Sequence, residues 1–572
     1  MNDHKRLYLL LIGVFSCFAS AVAQPLGNEW VNPDQDYYKI MVQEDGIYRM
    51  SYQELQQGGF PVNNIDPRRI RMIFRGQERA IWIEGEADGS FDSGDYIEFY
   101  GQKNDAFLDK FLYDDPSNIP NPYRNLYSDQ TAYFLTVRND GSFGKRMSFY
   151  SESHSSEDPV PYYQAEFIRQ TTSLNKGAVY PTYLSFGQYG AKPSNFTAAK
   201  GFIGYSVDAN GGDRVLNLDL GAKYKPVAGF TTTFRLHVVG LNHGPHRVDI
   251  KVGSSESETR LLRALSFNGY ERTNLNERLR DEDFTPGERD FTFVADAIDA
   301  SSNIRREITT FGAMTIIFPQ EPDLEGNTLR KLTLPIDGNN RSRIVLDNPA
   351  SGSRIFDLTD PNNMRIIGSE IANGQLTAGI DGTGSRKTIL VSAENKSVDN
   401  IAPISFSPLP DVANYLIISH SDLMQPAGDY NDPVQAYADY RSSAVGGSYQ
   451  TYLGDVDELY NRFTYGEYSP LAIRRLVQYF QNRGNNLQHL FLLGKALRLN
   501  YQYFRRLPNS ANWGQRDLVP SMGYPLSDLL FTAKLNGETG EANTIPTGRV
   551  SALNAQHVAD YLDKVKGHEQ YE

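Results

Sequence analysis

An Asp- and Ser-rich segment, Asp88 to Asp95, has the residue types of a calcium-binding turn. It reads Asp-Gly-Ser-Phe-Asp-Ser-Gly-Asp, and a hard cation prefers several oxygen ligands held close together. The segment lacks the terminal glutamate of the helical calcium loop, and no pair of predicted helices flanks it. We therefore interpret it as a solvated turn between two strands, with a calcium site as the alternative.

Three histidines, His237, His243 and His246, stand close enough in the sequence to suggest nitrogen ligands for a metal ion. The stretch His243-Gly-Pro-His246 is predicted to be a loop, and no carboxylate stands beside it at ligand spacing. Loop histidines in a β-rich domain are more often surface residues. We therefore assign no metal ligand here and expect these side chains to be solvated.

His420 and Asp422 directly follow a short apolar segment, Tyr415–Ile418, which predicts a buried strand. In α/β sheets, ligands bind beyond the carboxyl ends of the parallel strands. We take both residues as candidates for the rim or support of a site, with a purely structural role as the alternative.

The first 23 residues predict a secretory signal peptide. Lys5 and Arg6 form a short basic region, Leu7 to Phe18 is apolar, and Ala21-Val22-Ala23 is a small-residue cleavage site. The apolar run is too short to span a bilayer, and the mature chain should begin near Gln24.

Cys17 is the only cysteine in the sequence, and it lies in the segment predicted to be removed. A lipid anchor on Cys17 is the alternative, but the bulky Phe15 two residues before it disfavours that reading. The mature chain should therefore have no thiol for a disulfide, a thiolate metal site or cysteine catalysis. The sequence also lacks a Gly-x-Ser-x-Gly elbow, a His-Glu-x-x-His zinc motif and a complete phosphate-binding glycine loop.

The composition of the 572 residues describes a large, acidic, foldable chain. Lys and Arg total 56 against 69 Asp and Glu, a net charge of −13 without a long basic run, which excludes a typical nucleic-acid binder. Hydrophobic residues make up 40%, and 35 Tyr, 48 Gly and 29 Pro favour many strands and turns. At this length we expect about three or four domains.

Alternating apolar and polar residues predict β-structure from the mature N-terminus to about residue 400. A first β-rich domain spans 24–149, with a hairpin formed by Tyr37–Val42 and Ile47–Met50 and a helix at Tyr52–Gln57. Residues 161–400 predict one or two antiparallel, sandwich-like modules. The Pro-containing stretch Ser405–Pro410 reads as a linker.

The pattern changes at about residue 412, where short apolar strands alternate with helices. Strands are predicted at 415–418, 449–453 and 489–493, and helices at 434–445, 470–482 and 558–565. Continuous apolar strands separated by helices indicate βαβ units around a parallel sheet.

Residues 412–572 resemble the gingipain-like cysteine peptidases through several motifs in one order. The motifs are Asn414-Tyr-Leu-Ile-Ile418, Tyr437-x-x-Tyr440-Arg441, Asp457-Glu-Leu-Tyr-Asn-x-Phe-x-Tyr465-Gly466-x-x-Ser469-Pro470, Leu490–Gly494, Val519-Pro520, Ser527-Asp528, Ile545-Pro-Thr-Gly-Arg-Val550 and Tyr561-Leu562-x-Lys564-Val565. The segments Asp45–Arg49 and Gly94–Gly101 also resemble the leading β-region of the long members, which include sortase-like peptidases of the type IX secretion system of Bacteroidetes.

The resemblance implies β-rich N-terminal modules followed by the first half of a caspase-like α/β/α domain that uses a Cys-His dyad. In the family both dyad residues lie beyond the Gly-Arg-Val strand and its helix, so no catalytic residue is assigned in this chain. By resemblance, Lys495 stands where many members have an acid after Gly494, and Asp528 stands in the matching Ser-Asp motif. Both are candidate rim or support residues, although for Asp528 we expect a helix cap.

Two functions are consistent with this sequence. The first is part of an exported cysteine-type peptidase, sortase-like in its processing of secreted proteins, which lacks its dyad and is inactive as this chain alone. Its partners would be protein or peptide substrates and outer-membrane secretion machinery, at the periplasm, outer membrane or cell surface. The alternative is a non-catalytic exported binding or adhesion protein with a degenerate peptidase half.

Overall fold

The computed structural model describes residues 25–170, 194–196, 198, 200–208, 213–241, 245–269, 271–298, 308–484, 486–497, 517–523, 526–535 and 542–569. The predicted signal peptide with Cys17, and His243 of the histidine group, lie outside these residues. None of the helices in the described ranges has the length and apolar character needed to cross a membrane.

The described strands follow one another along most of the chain. They are β1 (Tyr37–Val42), β2 (Gly46–Ser51), β3 (Ile70–Phe74), β4 (Gln77–Arg79), β5 (Trp82–Glu84), β6 (Tyr96–Gly101), β7 (Thr131–Val137), β8 (Ser148–Tyr150), β9 (Tyr163–Arg169), β10 (Gly204–Asp208), β11 (Arg214–Asp219), β12 (Thr233–Gly240), β13 (Pro245–Gly253), β14 (Thr259–Asn268), β15 (Arg272–Arg278), β16 (Asp290–Ala297), β17 (Ile308–Gln320), β18 (Leu329–Leu334), β19 (Arg341–Asp347), β20 (Arg354–Asp357), β21 (Arg365–Ile367), β22 (Ser369–Ala372), β23 (Gln375–Asp381), β24 (Lys387–Ser392), β25 (Asn395–Lys396), β26 (Ile401–Ile404), β27 (Tyr415–Ser419), β28 (Thr451–Asp455), β29 (His489–Leu493) and β30 (Thr547–Val550). The α-helices are α1 (Tyr52–Gln57), α2 (Pro433–Ser442), α3 (Val456–Phe463), α4 (Leu471–Asn482) and α5 (Ala555–Glu569).

Two sheets form the first module. One has the strand order β26-β1-β7-β3-β4 and the other β25-β2-β6-β5, and their facing side chains make one apolar core. Helix α1 occupies the predicted residues and begins with a capping box, in which Ser51 and Glu54 each bond the other's backbone N–H. Gly58 follows its last residue.

The predicted hairpin between β1 and β2 is wrong. Both strands form where the pattern placed them, but β1 pairs with β7 and β26, while β2 pairs with β6 and β25. Both strands carry buried side chains, and each finds partners that come later in the chain. An alternating pattern therefore located the strands without revealing their neighbours.

Strand β26 closes the first module after an excursion of several hundred residues. It runs antiparallel to β1, with Tyr37 opposite Ile404 and Ile40 opposite Ile401. The chain therefore leaves the first module beside the point at which it entered.

The middle of the chain is a double sandwich built on one long sheet. That sheet has the order β15-β12-β17-β9-β18-β24-β20-β21-β8, with β10 also paired to β17. A four-stranded sheet, β11-β16-β13-β14, covers one apolar core on it, and a three-stranded sheet, β19-β23-β22, covers a second core. The sandwich-like architecture predicted for this region is thus present as two cores that share a sheet.

The α/β module comprises β27 to β30 and α2 to α5. Its strands are parallel in the order β28-β27-β29-β30. In β27, Tyr415 and Ile417 join the core beneath α2 and α5, whereas Leu416 and Ile418 join the core beneath α3 and α4. Because both faces are covered, an uninterrupted apolar strand is the expected sequence. The parallel α/β sheet predicted from the strand pattern is confirmed, as is the α/β/α arrangement that the family resemblance implied.

Candidate functional site

The candidate site is the edge of the α/β module at which the four parallel strands end. The chain passes from β27 through α2 to β28, and then through α3 and α4 to β29 on the opposite side of β27. The strand order therefore reverses between β27 and β29, which is the switch point at which α/β folds place their ligands. The Ser419 hydroxyl donates to the Leu493 carbonyl at 3.0 Å and ties these two strand ends together.

His420 leaves β27 at this switch point and is fixed by its neighbours. Its Nδ1 accepts the backbone N–H of Asp422 at 3.1 Å, so the proton of a neutral ring resides on Nε2. Nε2 lies 3.7 Å from the Asp457 Oδ2 atom, and the side chain of His420 is 18% exposed. The structure therefore presents an oriented imidazole between two carboxylates, since Asp422 Oδ2 is also 3.7 Å from Nδ1.

Asp455 and Asp457 complete this part of the edge, and sequence reasoning did not select them as site residues. Asp455 is the N-cap of α3 and accepts the N–H groups of Asp457 and Glu458 at 2.8 and 3.3 Å. Burial and the nearby Asp457 raise the pKa of Asp455 against the opposing effect of these hydrogen bonds. The available signal was an Asp two residues after the predicted strand 449–453, followed by the acidic residues Asp457 and Glu458, a pattern typical of a helix start.

Gly494 and Lys495 leave β29 on the other side of the switch point. A Cβ on Gly494 would lie 2.6 Å from the Val519 Cγ2, and its φ of +152° also favours glycine. The Lys495 backbone donates to Ala552 and accepts from Val519, whereas its side chain makes no ion pair or hydrogen bond with the described residues. Lys495 therefore contributes a partly exposed cation to this edge.

Asp528 forms an ion pair with Arg549, which also binds the backbone at the end of β29. Its carboxylate receives two hydrogen bonds of 2.8 Å from the Arg549 guanidinium and a third, of 2.6 Å, from Ser521. Arg549 also donates to the carbonyl oxygens of Gly494 and Val519, both at 2.7 Å.

The helix-capping role expected for Asp528 is wrong. The N-cap of the short 3-10 helix Asp528–Phe531 is Ser527, whose hydroxyl accepts the Leu529 N–H. The Asp528 carboxylate is instead held by Arg549, so it fixes the turn after β29 rather than a helix end.

His237 and His246 do not form a solvated histidine group. His246 is fully buried, hydrogen-bonds Thr309 at 3.2 Å and stacks on Phe267, while His237 faces the Ala198 carbonyl at 3.3 Å. Burial lowers the pKa of His237 to about 4. The surface position expected for these two residues is therefore wrong for two reasons. His246 shares the core-facing side of β13 with Val248 and Ile250. His237 lies on the face of β12 opposite the core, and that face is also covered.

The predicted calcium-like turn joins β5 to β6. The Asp88 carboxylate accepts the Ser90 N–H at 2.9 Å, and the Asp95 carboxylate accepts the Asp92 N–H at 2.7 Å. Among the described residues, no three His, Cys, Asp or Glu side chains converge in a geometry that could hold a metal ion.

The α/β module matches a known peptidase family. Residues 409–572 match the model of Peptidase family C25, the gingipain family. A search of curated protein sequences found no significant match.

Among solved structures, the fold is similar to dimeric latent PorU from Porphyromonas gingivalis, with a TM-score of 0.59 and 13% identity. That similarity covers 93% of this chain and 49% of PorU, so this chain spans about half the length of that protein. A carbohydrate-binding module specific for non-crystalline cellulose, of the CBM28 type, matches with a TM-score of 0.14 and 11% identity over 21% of this chain and 78% of the module. The α/β module of this β-rich chain thus matches the model of Peptidase family C25, and the fold of the chain is similar to that of PorU.

Proposed function

We propose that this chain is part of an exported gingipain-like cysteine peptidase that processes secreted proteins in a sortase-like way. The observation that carries the proposal is the parallel sheet at residues 409–572, which coincides with the match to the peptidase family and reverses its strand order between β27 and β29. Its substrates would be proteins or peptides, and its partner the outer-membrane secretion machinery, at the periplasm, outer membrane or cell surface.

The described edge would support the reaction but does not supply its nucleophile. Cysteine peptidases need a thiolate beside an imidazole, and backbone N–H groups that stabilise the oxyanion. The one cysteine in the sequence is Cys17, in the predicted signal peptide. We therefore assign His420, Asp422, Lys495 and Asp528 to the rim and support of the site.

A thiol-directed probe tests the proposal on the natural product. The protein is isolated from the producing bacterium, labelled with an iodoacetamide probe and digested, and the labelled peptide is identified by mass spectrometry. We expect iodoacetamide-sensitive peptide hydrolysis by the natural product, with the label on a cysteine outside these 572 residues.

The purified 572-residue chain and its Cys17→Ser variant are the controls, and neither should hydrolyse peptides. Peptide hydrolysis by the Cys17→Ser chain, which has no thiol, would contradict the assignment of the nucleophile. A natural product with neither hydrolysis nor a labelled cysteine would favour the non-catalytic binding protein.

A further inference from the structure

The loop between α3 and α4 is inserted against the outer face of the five-stranded sheet of the first module. A Cβ on Gly466 would lie 2.6 Å from the Ala132 Cβ and 2.8 Å from the Phe134 ring. Tyr465 and Gly466 both have positive φ, of 55° and 79°, so the backbone adopts a left-handed turn to make this approach. We call residues 464–467, together with the surfaces they contact, the joint.

A buried ion pair crosses the joint. Glu467 is 1% exposed, and its Oε1 accepts the Nε–H of Arg75 at 2.9 Å. The same guanidinium donates to Asp105 at 2.9 Å and to Asn104 at 3.1 Å, which orients it toward the loop. Because removing one partner of a buried pair leaves the other charge desolvated, the docked arrangement is sensitive to the loss of either Arg75 or Glu467.

The first described residues of the chain also pack against the joint, beside the loop and the sheet. Glu29 accepts the N–H groups of Leu26 and Gly27, and Trp30 donates to the Gly27 carbonyl at 3.0 Å. A Cβ on Gly27 would lie 2.5 Å from the Phe463 carbonyl oxygen and 2.6 Å from the Arg475 guanidinium. Residues 26–30 are therefore a strap that lies over the end of α3.

Helix α3 connects the joint to the candidate site. Its eight residues span about 12 Å. Phe463 lies at the joint, while Asp457, in the first turn, faces His420 at the carboxyl edge. In the last turn of the helix, Asn461 accepts a 2.8 Å hydrogen bond from Lys39 of β1. The two ends of α3 therefore contact different modules. Its first turn faces His420 of the α/β module, and its last turn contacts β1 of the first module.

We propose that the joint is a regulatory contact through which the first module sets the position of α3, and with it the Asp457 carboxylate beside His420. Loosening the strap or the Arg75–Glu467 pair would let α3 shift as a unit, because a packed helix moves as a rigid body rather than deforming. This inference rests on the proposed function only in taking the carboxyl edge as the site.

Hydrogen exchange and NMR test the proposal without any peptidase assay. In the full chain, Glu467→Gln removes the charge at the joint, and Gly27→Ala displaces the strap while leaving the Arg75–Glu467 pair in place. We expect both variants to accelerate amide exchange in α3 by about tenfold and to shift the His420 Hε1 resonance. A His420→Gln spectrum assigns that resonance.

Asp283→Asn is the matched control, since Asp283 is also 1% exposed and pairs with an arginine, Arg260, at 2.6 Å, far from the joint. It should leave α3 exchange and the His420 resonance unchanged. If Glu467→Gln destabilises the chain globally, Gly27→Ala decides. Faster exchange confined to residues 464–467, with the His420 resonance unmoved, would overturn the coupling. None of these readouts depends on whether the protein is a peptidase.

Discussion

At the scale of single residues, Arg549 holds together the turn that follows β29. Its side chain is 12% exposed, and its guanidinium binds Asp528, three backbone carbonyl groups and the Ser521 hydroxyl. Substituting Arg549→Met would leave these acceptors without their donor. We expect the free energy of unfolding of the α/β module to fall by about 3 kcal/mol, measured by chemical denaturation.

The control for Arg549→Met is Arg280→Met. Arg280 pairs with Glu282 at 2.8 Å, but both side chains are more than half exposed, at 66% and 62%. Solvent screens such a pair, so its loss should not change stability measurably. Equal stability of the two variants would show that the Arg549 network does not stabilise the module.

His237 gives a pH-dependent prediction at the same scale. Burial lowers the pKa of His237 from 6.5 to about 4, so the unfolded chain binds a proton between these pH values that the native protein does not. The contribution of His237 to the free energy of unfolding is therefore fully present above pH 6.5. It is lost as the pH falls to about 4, by about 3 kcal/mol at most.

The measurement is the unfolding free energy of the wild type and of His237→Gln between pH 7 and pH 4. The variant should lose less stability over this interval, whereas His557→Gln, which removes an exposed imidazole, should behave as the wild type does. A His237→Gln curve parallel to that of the wild type would contradict the assignment.

Sequence reasoning misplaced His237 for a definite reason. In β12 the alternate residues Phe234, Leu236 and Val238 face the sandwich core, which leaves His237 on the other face. That face would meet solvent in an isolated sandwich. Here it is covered by a segment that includes Ala198, and no pattern within β12 indicates this cover.

At the scale of elements, α2 and α5 are joined by a network of polar side chains. Arg441 binds Glu569 at 2.9 Å and the Tyr437 hydroxyl at 3.0 Å, and the Tyr440 hydroxyl also donates to Glu569. Glu569→Ala removes the acceptor shared by two of these residues. We therefore expect faster hydrogen exchange in the last turn of α5.

Lys564→Ala is the control on the same helix, because Lys564 is exposed and contacts none of these groups. It should leave exchange in α5 unchanged. Unaltered exchange in Glu569→Ala would mean that apolar packing of residues such as Leu562 is sufficient to hold the helix end.

The sequence located most strands and helices, but it did not establish which strands pair. Period-2 and apolar patterns report which faces are buried, and this sufficed for β1, β2 and the parallel strands. Helix α3 was not predicted, although its signals were present: Asp455 at the N-cap, acidic residues in the first turn, and Leu459 and Phe463 four residues apart. Its short length hid it between two stronger elements.

At the scale of the whole molecule, Glu98 links the first module to the double sandwich. The carboxylate is 2% exposed and is held by Arg49 of the same module and by Arg354 of β20, with both Arg354 contacts at 3.0 Å. Arg354→Met would break this link between modules. We expect calorimetric unfolding to separate into distinguishable transitions, because the modules would no longer unfold together.

Arg341→Met is the corresponding control. Arg341 is 57% exposed and lies 3.6 Å from Glu157 in a peripheral pair. Its loss should leave the calorimetric profile unchanged. A single unchanged transition in Arg354→Met would show that other contacts hold the modules together.

The order of modules was predictable from the sequence, whereas their connections were not. Composition and patterning gave a β-rich part followed by a parallel α/β part, and this fold class is confirmed. The shared sheet depends on the single pairing of Thr333 with Gln164, between strands far apart in the sequence. The candidate site likewise required the fold, since Asp457 reaches His420 only after β28 lies beside β27.

The return of β26 to β1 has a mechanical consequence. A pull applied between the N-terminal strap and the α/β module enters the first module at Tyr37 and leaves it at Ile404, which lie opposite each other in an antiparallel pair. The load would therefore open this short ladder one hydrogen bond at a time, beginning at Tyr37, rather than shear it. The chain between β1 and β26 is closed by this ladder, so once the contacts of the joint had separated it would bear tension only after the ladder had opened.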